Sequence, residues 1–256
     1  MMNFLKVKKD EHIFHITLDR GKSNAIDIHL VNELIIAIQE AEEDPAVEGL
    51  ILSGKEGFFS SGLDLITLYD YNAEEMKEFW SRFMLLLHTL ASFSKPAVSA
   101  ITGHSPAGGC VLAICCDYRI MAEGEFIIGL NEVPVGIVVP NSIFELYSFW
   151  LGKAQAYRFL LEGKLLKPQE ALEVGLVDEV VDFNRIQNAA VRKVKSVTQF
   201  EKNAWRLTKL NLRKPLLSTL SENHDTVIEQ VLKQWWSPAT RTIMKTIIDN
   251  LTHKKA

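Results

Sequence analysis

Three stretches of this chain hold residue types that could do chemistry. The first is Ile128-Gly129-Leu130-Asn131-Glu132-Val133-Pro134-Val135-Gly136. Glu132 is a lone carboxylate among apolar residues. A solvated loop glutamate fits that pattern. So does a general base, because desolvation by the apolar neighbours would raise its pKa toward neutrality. The second stretch is Gly103-His104-Ser105-Pro106-Ala107-Gly108-Gly109-Cys110. Ser105 can cap a helix there, and Pro106 suits the first helical position because it has no N–H to waste. Consecutive glycines at a helix start let a ligand approach the backbone. The N–H groups there lack intrahelical partners and carry the positive end of the helix dipole. That suits an anion or an oxyanion, and a tight helix–strand contact would ask for the same glycines. The third stretch, Phe58-Phe59-Ser60-Ser61-Gly62-Leu63-Asp64-Leu65, is a small-residue turn after a strand.

Other patterns point away from common chemistries. Gly21-Lys22-Ser23 resembles the end of a phosphate-binding P-loop, but Ile16 stands where that motif needs its first glycine, five residues upstream. Nucleoside triphosphate binding is rejected, and no GxGxxG dinucleotide motif occurs. His12 and His15 read as exposed histidines of an edge strand with no third ligand nearby. The histidines show no metal-ligand spacing, so no metal is expected. Cys110, Cys115 and Cys116 lie in one apolar stretch without a CxxC pair and read as small buried core residues in a reducing compartment.

The elements that must position these stretches follow from periodicity. Phe14, Ile16 and Leu18 alternate with polar residues over a strand at Ile13 to Leu18. Asp27 can cap a helix on which Val31, Leu34, Ile35 and Ile38 share one face. Gly49 to Ser53 is a buried strand. Asn72 opens a second helix with Glu75 as its capping-box partner, and Met76, Phe79, Phe83, Leu87 and Leu90 line its core side. Ala97 to Ile101 is the next strand, followed by a turn at Thr102 to Pro106 and a helix from about Ala107 to Cys116. Asp117 to Met121 and Glu125 to Ile128 read as short strands. From about Asn141 helices dominate, with a short extended piece at Gly175 to Val181. Met244, Ile247, Ile248 and Leu251 give the last helix one apolar face. Strands alternating with helices, then helices alone, argue for an α/β core with a helical appendage.

The 256 residues allow one large domain, or a main domain with a smaller helical piece. Composition is that of an ordinary globular protein, and a net charge of −4 gives neither nucleic acid nor a membrane surface a basic stripe to bind. The N-terminus lacks the apolar core of a secretory signal, the C-terminal residues are not the peroxisomal tripeptide, and no apolar run reaches spanning length. The expected location is the cytoplasm.

In this order and spacing, the three stretches resemble the crotonase (enoyl-CoA hydratase/isomerase) family. Supporting fragments are Asn24-Ala25, Lys95-Pro96-Ala97-Val98, Cys116-Asp117-Tyr118-Arg119, and Glu170-Ala171-Leu172 running on to Gly175-Leu176-Val177-Asp178. The resemblance spans about residues 4–182 and weakens in the helical tail. It implies an α/β fold, a crotonase-like spiral of ββα units with a C-terminal α-helical trimerisation region. Residues 1–195 would form the spiral core with an acyl-CoA site, and residues 196–256 a helical oligomerisation region. The implied substrate is an acyl-CoA thioester, with coenzyme A part of the substrate and no separate cofactor. The implied assembly is a homotrimer or a dimer of trimers.

By the family's pattern, two backbone N–H groups hold the thioester oxygen as it becomes an enolate, and the matching positions are Leu63 and Gly108. Each such donor is typically worth about 3–4 kcal/mol to a transition state. Ser61, Gly62, Leu63, Asp64 and Leu65 would border the CoA moiety, and Asn131 would join Gly108 on the substrate. Hydratases of the family carry two glutamates to position and activate water. Val111 stands at the first position and Glu132 at the second. One carboxylate can move a proton from C2 to C4 of a 3-enoyl thioester, which is an isomerisation. The runs around Gly108 and Glu132 are most similar to the Δ3,Δ2-enoyl-CoA isomerase branch. Two alternatives stay open: another crotonase reaction, with Asp70, Glu74 or Glu75 entering the site, and a catalytically silent acyl-CoA-binding protein. Phe79, Phe83, Ile137 and Phe144 are the expected walls of an acyl tunnel. Lys209, Arg213 and Lys254 either lie on a solvated face or meet CoA phosphates of a neighbouring subunit.

Overall fold

The computed structural model describes residues 2–222 and 224–253. Leu5–Asp10 (β1) pairs antiparallel with Ile13–Leu18 (β2). No apolar alternation marks β1 in the sequence, since Leu5 alone of its six residues is buried. β1 also removes His15 from the sheet edge. His15 is buried, and burial holds its imidazole below the usual histidine range. His12 falls in the exposed turn between the two strands. Asp27 then accepts a hydrogen bond from Leu30 N–H at 2.9 Å and starts Ile28–Glu43 (α1).

Three turns of one pattern follow. Gly49–Ser53 (β3) and Gly57–Phe58 (β4) lead into Leu65–Tyr69 (α2) and Ala73–Ala91 (α3). The last of these starts with the expected capping box of Asn72 and Glu75. Ala97–Ile101 (β5) and Gly103–Pro106 (β6) lead into Gly108–Cys115 (α4). Tyr118–Ala122 (β7) and Ile128–Gly129 (β8) lead through a 3-10 turn at Val133–Val135 into Asn141–Leu151 (α5). Lys153–Glu162 (α6), Pro168–Glu173 (α7), Glu179–Val181 (β9) and Ile186–Val197 (α8) complete the core. Each turn thus gives one strand to a six-stranded sheet ordered β1-β2-β3-β5-β7-β9, and one to a small parallel sheet ordered β4-β6-β8. This is the ββα spiral. Gly103 lets the turns stack, because a Cβ there would run into the Gly57 carbonyl.

The central strands β3 and β5 of the large sheet are buried on both faces. Ile51, Val98 and Ile120 pack with Ile186, Ala190 and Val194 of α8. Leu50 and Leu52 belong to the main core with α1 and α3. Strands covered on both sides need no polar alternation, which is why β3 and β5 read as continuous apolar runs.

The segment expected as a turn at Thr102 to Pro106 is largely the strand β6. Ser105 pairs with Ile128, and Pro106 with Gly129. That pairing keeps the backbone extended through Pro106, so the helix begins only at Gly108. Ser105 is not its cap, and Pro106 is not its first residue. The strand expected at Glu125 to Ile128 shrinks to Ile128–Gly129, the two residues in register with Ser105 and Pro106 of β6.

Lys202–Ser221 (α9), Asp225–Trp235 (α10) and Pro238–His253 (α11) end the described chain. Lys209 and Arg213 of α9 are not on a solvated face. They are 7% and 3% exposed. Lys209 Nζ lies 2.7 Å from Asp117 Oδ2, and Arg213 lies 3.1 Å from Asp117 Oδ1. Arg213 also donates to the Cys115 and Cys116 carbonyls, where α4 ends and its dipole favours a cation. Lys254 lies outside the described residues. Cys110, Cys115 and Cys116 are all buried and free, as expected. Among the described residues, no helix is long and apolar enough to cross a membrane, and no cluster of His, Cys, Asp or Glu could hold a metal ion.

Candidate active site

The site forms where α4 begins. Ala107 precedes the helix with φ +49 and gives it no side-chain cap. The N–H groups of the first turn point out of the helix without intrahelical acceptors, and Gly108 is the first of them. The loop carrying Leu63 lies against this turn. Ile26 N–H donates to the Gly62 carbonyl at 2.8 Å, and Asp64 N–H donates to the Ile26 carbonyl at 2.9 Å. This parallel bridge uses the atoms on either side of the Leu63 N–H and leaves that donor out of the ladder. Asn24 and Ser60 brace the loop. Asn24 Nδ2 donates to the Phe59 carbonyl at 3.0 Å, and Ser60 Oγ donates to the Asn24 carbonyl at 2.7 Å. The fragment Asn24-Ala25 is therefore part of the scaffold of this loop.

Glu132 sits just before the 3-10 turn that follows β8. It is 8% exposed, and its Oε2 has no hydrogen-bond partner. Burial pushes its carboxyl up to about 7. A carboxylate in that range can both take and return a proton near neutral pH.

Two connected spaces meet at Leu63, Glu132 and Ile137, which line both. The outer one is a cleft of about 540 Å³. Arg20, Lys22, Ser61, Leu65 and Asn131 are on its walls, and Ile247 and Leu251 of α11 close it from above. The inner one is lined by Trp80, Phe83, Gly108, Val111 and Ile143. Its volume is about 10 Å³, roughly that of one water site. Any group larger than a water entering it must displace these side chains.

The expected site residues converge. Ser61, Leu63, Asp64, Leu65, Asn131 and Glu132 line the cleft. Gly108 lines the inner pocket, and Gly62 packs directly behind it. Asp64 is not a free ligand group, however. Its oxygens accept from Thr67 N–H at 3.2 Å, from Thr67 Oγ1 at 2.8 Å and from Arg20 at 2.7 Å. Of the expected tunnel residues, Phe83 and Ile137 line the inner pocket. Phe79 and Phe144 pack into the core instead. Asp70 ends α2, and Glu74 and Glu75 lie in the first turn of α3; none of the three is on the cleft.

Sequence reasoning missed Arg20, Lys22, Ile247 and Leu251 as cleft residues. The only signal for the first pair is the P-loop-like Gly21-Lys22-Ser23, which lies on the cleft wall. Ile247 and Leu251 were visible only as members of an apolar helix face.

The comparisons with known proteins agree with this architecture. The family model described as enoyl-CoA hydratase/isomerase matches residues 8–241. The mitochondrial enoyl-CoA delta isomerase 1 of Mus musculus is 34% identical over 234 residues, covering 91% of this chain and 81% of that protein. A crotonyl-CoA hydratase of Syntrophomonas wolfei is 30% identical over 177 residues, covering 68% of each. The crystal structure of human mitochondrial Δ3-Δ2-enoyl-CoA isomerase superposes with a TM-score of 0.95 at 29% identity, covering 99% of this chain and all of that one. The chain belongs to the enoyl-CoA hydratase/isomerase family.

Proposed function

We propose that this protein is a Δ3,Δ2-enoyl-CoA isomerase with Glu132 as its single acid/base. One observation carries the reading. The carboxylates on the cleft and inner pocket, among the described residues, are Asp64 and Glu132. Asp64 has both oxygens engaged with Thr67 and Arg20, so Glu132 alone is free to move a proton.

The thioester oxygen of a 3-enoyl-CoA accepts from the Leu63 and Gly108 N–H groups. The Glu132 carboxylate takes a proton from C2. The C2–H electrons form the C1–C2 double bond of an enolate, whose oxyanion the two donors stabilise. Collapse of the enolate moves the double bond to C2–C3 while Glu132 returns the proton at C4. No atom is gained or lost.

Water addition requires a second acid/base to activate the water. The position that holds it in hydratases is Val111, which is apolar and 1% exposed. This supports isomerisation over hydration. The high similarity to isomerases supports it as well. The proposed assembly is a homotrimer or a dimer of trimers, and the proposed location is the cytoplasm. Light scattering of the purified protein tests the assembly.

The test of the reaction uses 3-hexenoyl-CoA and 2-hexenoyl-CoA in separate incubations, followed by ultraviolet absorbance of the conjugated thioester and by mass. Conjugation of the first substrate without the mass of water supports isomerisation. A product of the second substrate heavier by one water identifies a hydratase and overturns the reading.

A further inference from the structure

We propose that Arg20 is a positioning residue for the Leu63 amide, clamping the two chain segments whose bridge aims that donor. The inference rests on the reading of Leu63 and Gly108 as an oxyanion site.

Arg20 lies just after β2, with its side chain 17% exposed. One terminal nitrogen, Nη2, is 2.8 Å from Asp27 Oδ2 and 2.7 Å from Asp64 Oδ2. The other, Nη1, donates to the Ala25 carbonyl at 2.8 Å. Its own backbone N–H donates to Asn24 Oδ1 at 2.9 Å. Residues 24–27 are one side of the bridge that frames Leu63, and residues 62–64 are the other. A single guanidinium thus ties the two sides together one residue beyond Leu63. The fork geometry matters, because a lysine ammonium is a point charge and cannot hold this set of acceptors in one plane.

Without the clamp, Asp27 and Asp64 would face each other without the cation they share. Their repulsion would open the segment on which the Leu63 N–H depends. Loss of alignment at one oxyanion donor acts on the transition state rather than on ground-state binding, so it lowers kcat more than it raises KM. Arg20 also lines the cleft, which offers a rival role as a direct contact to the substrate's anionic groups. That role would raise KM and leave kcat alone.

The experiment combines kinetics on 3-hexenoyl-CoA with the carbonyl stretch of bound, unreactive hexanoyl-CoA, carbon-13 labelled at the thioester. Parent, Arg20→Ala, Arg20→Lys and Asp27→Asn are compared, with melting curves to check the fold. The parent's carbonyl band shifts to lower frequency on binding if the donors polarise it. Absence of that shift in the parent overturns the oxyanion reading itself, and Arg20's role with it. Given a parent shift, the proposal expects Arg20→Ala to lose much of it and to lose kcat, by up to the roughly 10²–10³-fold of a missing donor. Arg20→Lys should recover only part of both, and Asp27→Asn should fall between Arg20→Ala and the parent. An unchanged band with raised KM and intact kcat in Arg20→Ala overturns the proposal. If Arg20→Ala does not fold, Arg20→Lys decides by the same two readouts.

Discussion

A Cβ built on Gly62 would stand 3.2 Å from the Gly108 amide nitrogen and 3.0 Å from the Ala107 Cβ. The two segments that carry the candidate oxyanion donors therefore touch backbone to backbone. Gly62 also has φ +85, which costs a residue with a Cβ about 1–2 kcal/mol. Gly62→Ala is expected to lose about that much stability while pushing the Gly108 amide out of line. Its kcat should fall by up to about 10²-fold, more than the melting shift alone would explain. Melting curves and steady-state kinetics on one preparation check this.

In the proposed reaction the buried carboxyl of Glu132 sets the pH dependence. Its proton must be off for it to act as a base, and burial places that event at about 7. The kcat/KM for 3-hexenoyl-CoA should fall about tenfold per pH unit on the acid side of 7 and level off above it. An acid limb centred near 4.5 would mean that the carboxylate is solvated in the free enzyme.

The same shift makes a stability prediction of definite sign. A carboxyl whose pKa is higher folded than unfolded stabilises fully below the unfolded value, and that contribution is lost as pH rises through the folded one. Glu132→Gln should therefore match the parent near pH 4 and exceed it progressively up to about pH 7. The ceiling of the gain is about 3 kcal/mol, the shift from 4.5 to about 7 converted at 1.36 kcal/mol per unit. Urea unfolding across that pH range measures it.

Asp117 is the counter-ion of two buried cations, Lys209 and Arg213. Asp117→Asn leaves the buried Lys209 and Arg213 without a carboxylate, which should cost about 3 kcal/mol of stability. Asp117 is not on the catalytic cleft. The variant, assayed below its melting temperature, should keep the parent's kcat.

Legibility in the sequence followed the length of the elements and the number of their buried faces. The helices α1 and α3 announced themselves through cap residues and one-sided apolar spacing, and β3 and β5 through buried runs. The small sheet did not, because strands of two to four residues carry no period. That one omission cast Ser105 as the cap of α4 and Pro106 as its first residue. Within the site, Leu63, Gly108 and Glu132 were placed by family resemblance, since nothing in their spacing says that they meet. The face of α11 shows the limit of periodicity. Met244 and Leu251 share one apolar stripe, yet Met244 is fully buried and Leu251 is 50% exposed on the cleft. Spacing tells which side chains point together; it does not tell whether they face core or cleft.

The most direct test of the single-carboxylate shuttle uses 3-hexenoyl-CoA carrying two deuterons at C2, with the parent and Glu132→Gln run side by side in ordinary water. The account predicts 2-hexenoyl-CoA from the parent with deuterium carried from C2 to C4. It predicts a rate lower by about 10²–10⁴-fold in the variant, with the affinity for hexanoyl-CoA retained. Turnover of the variant at the parent's rate would contradict it.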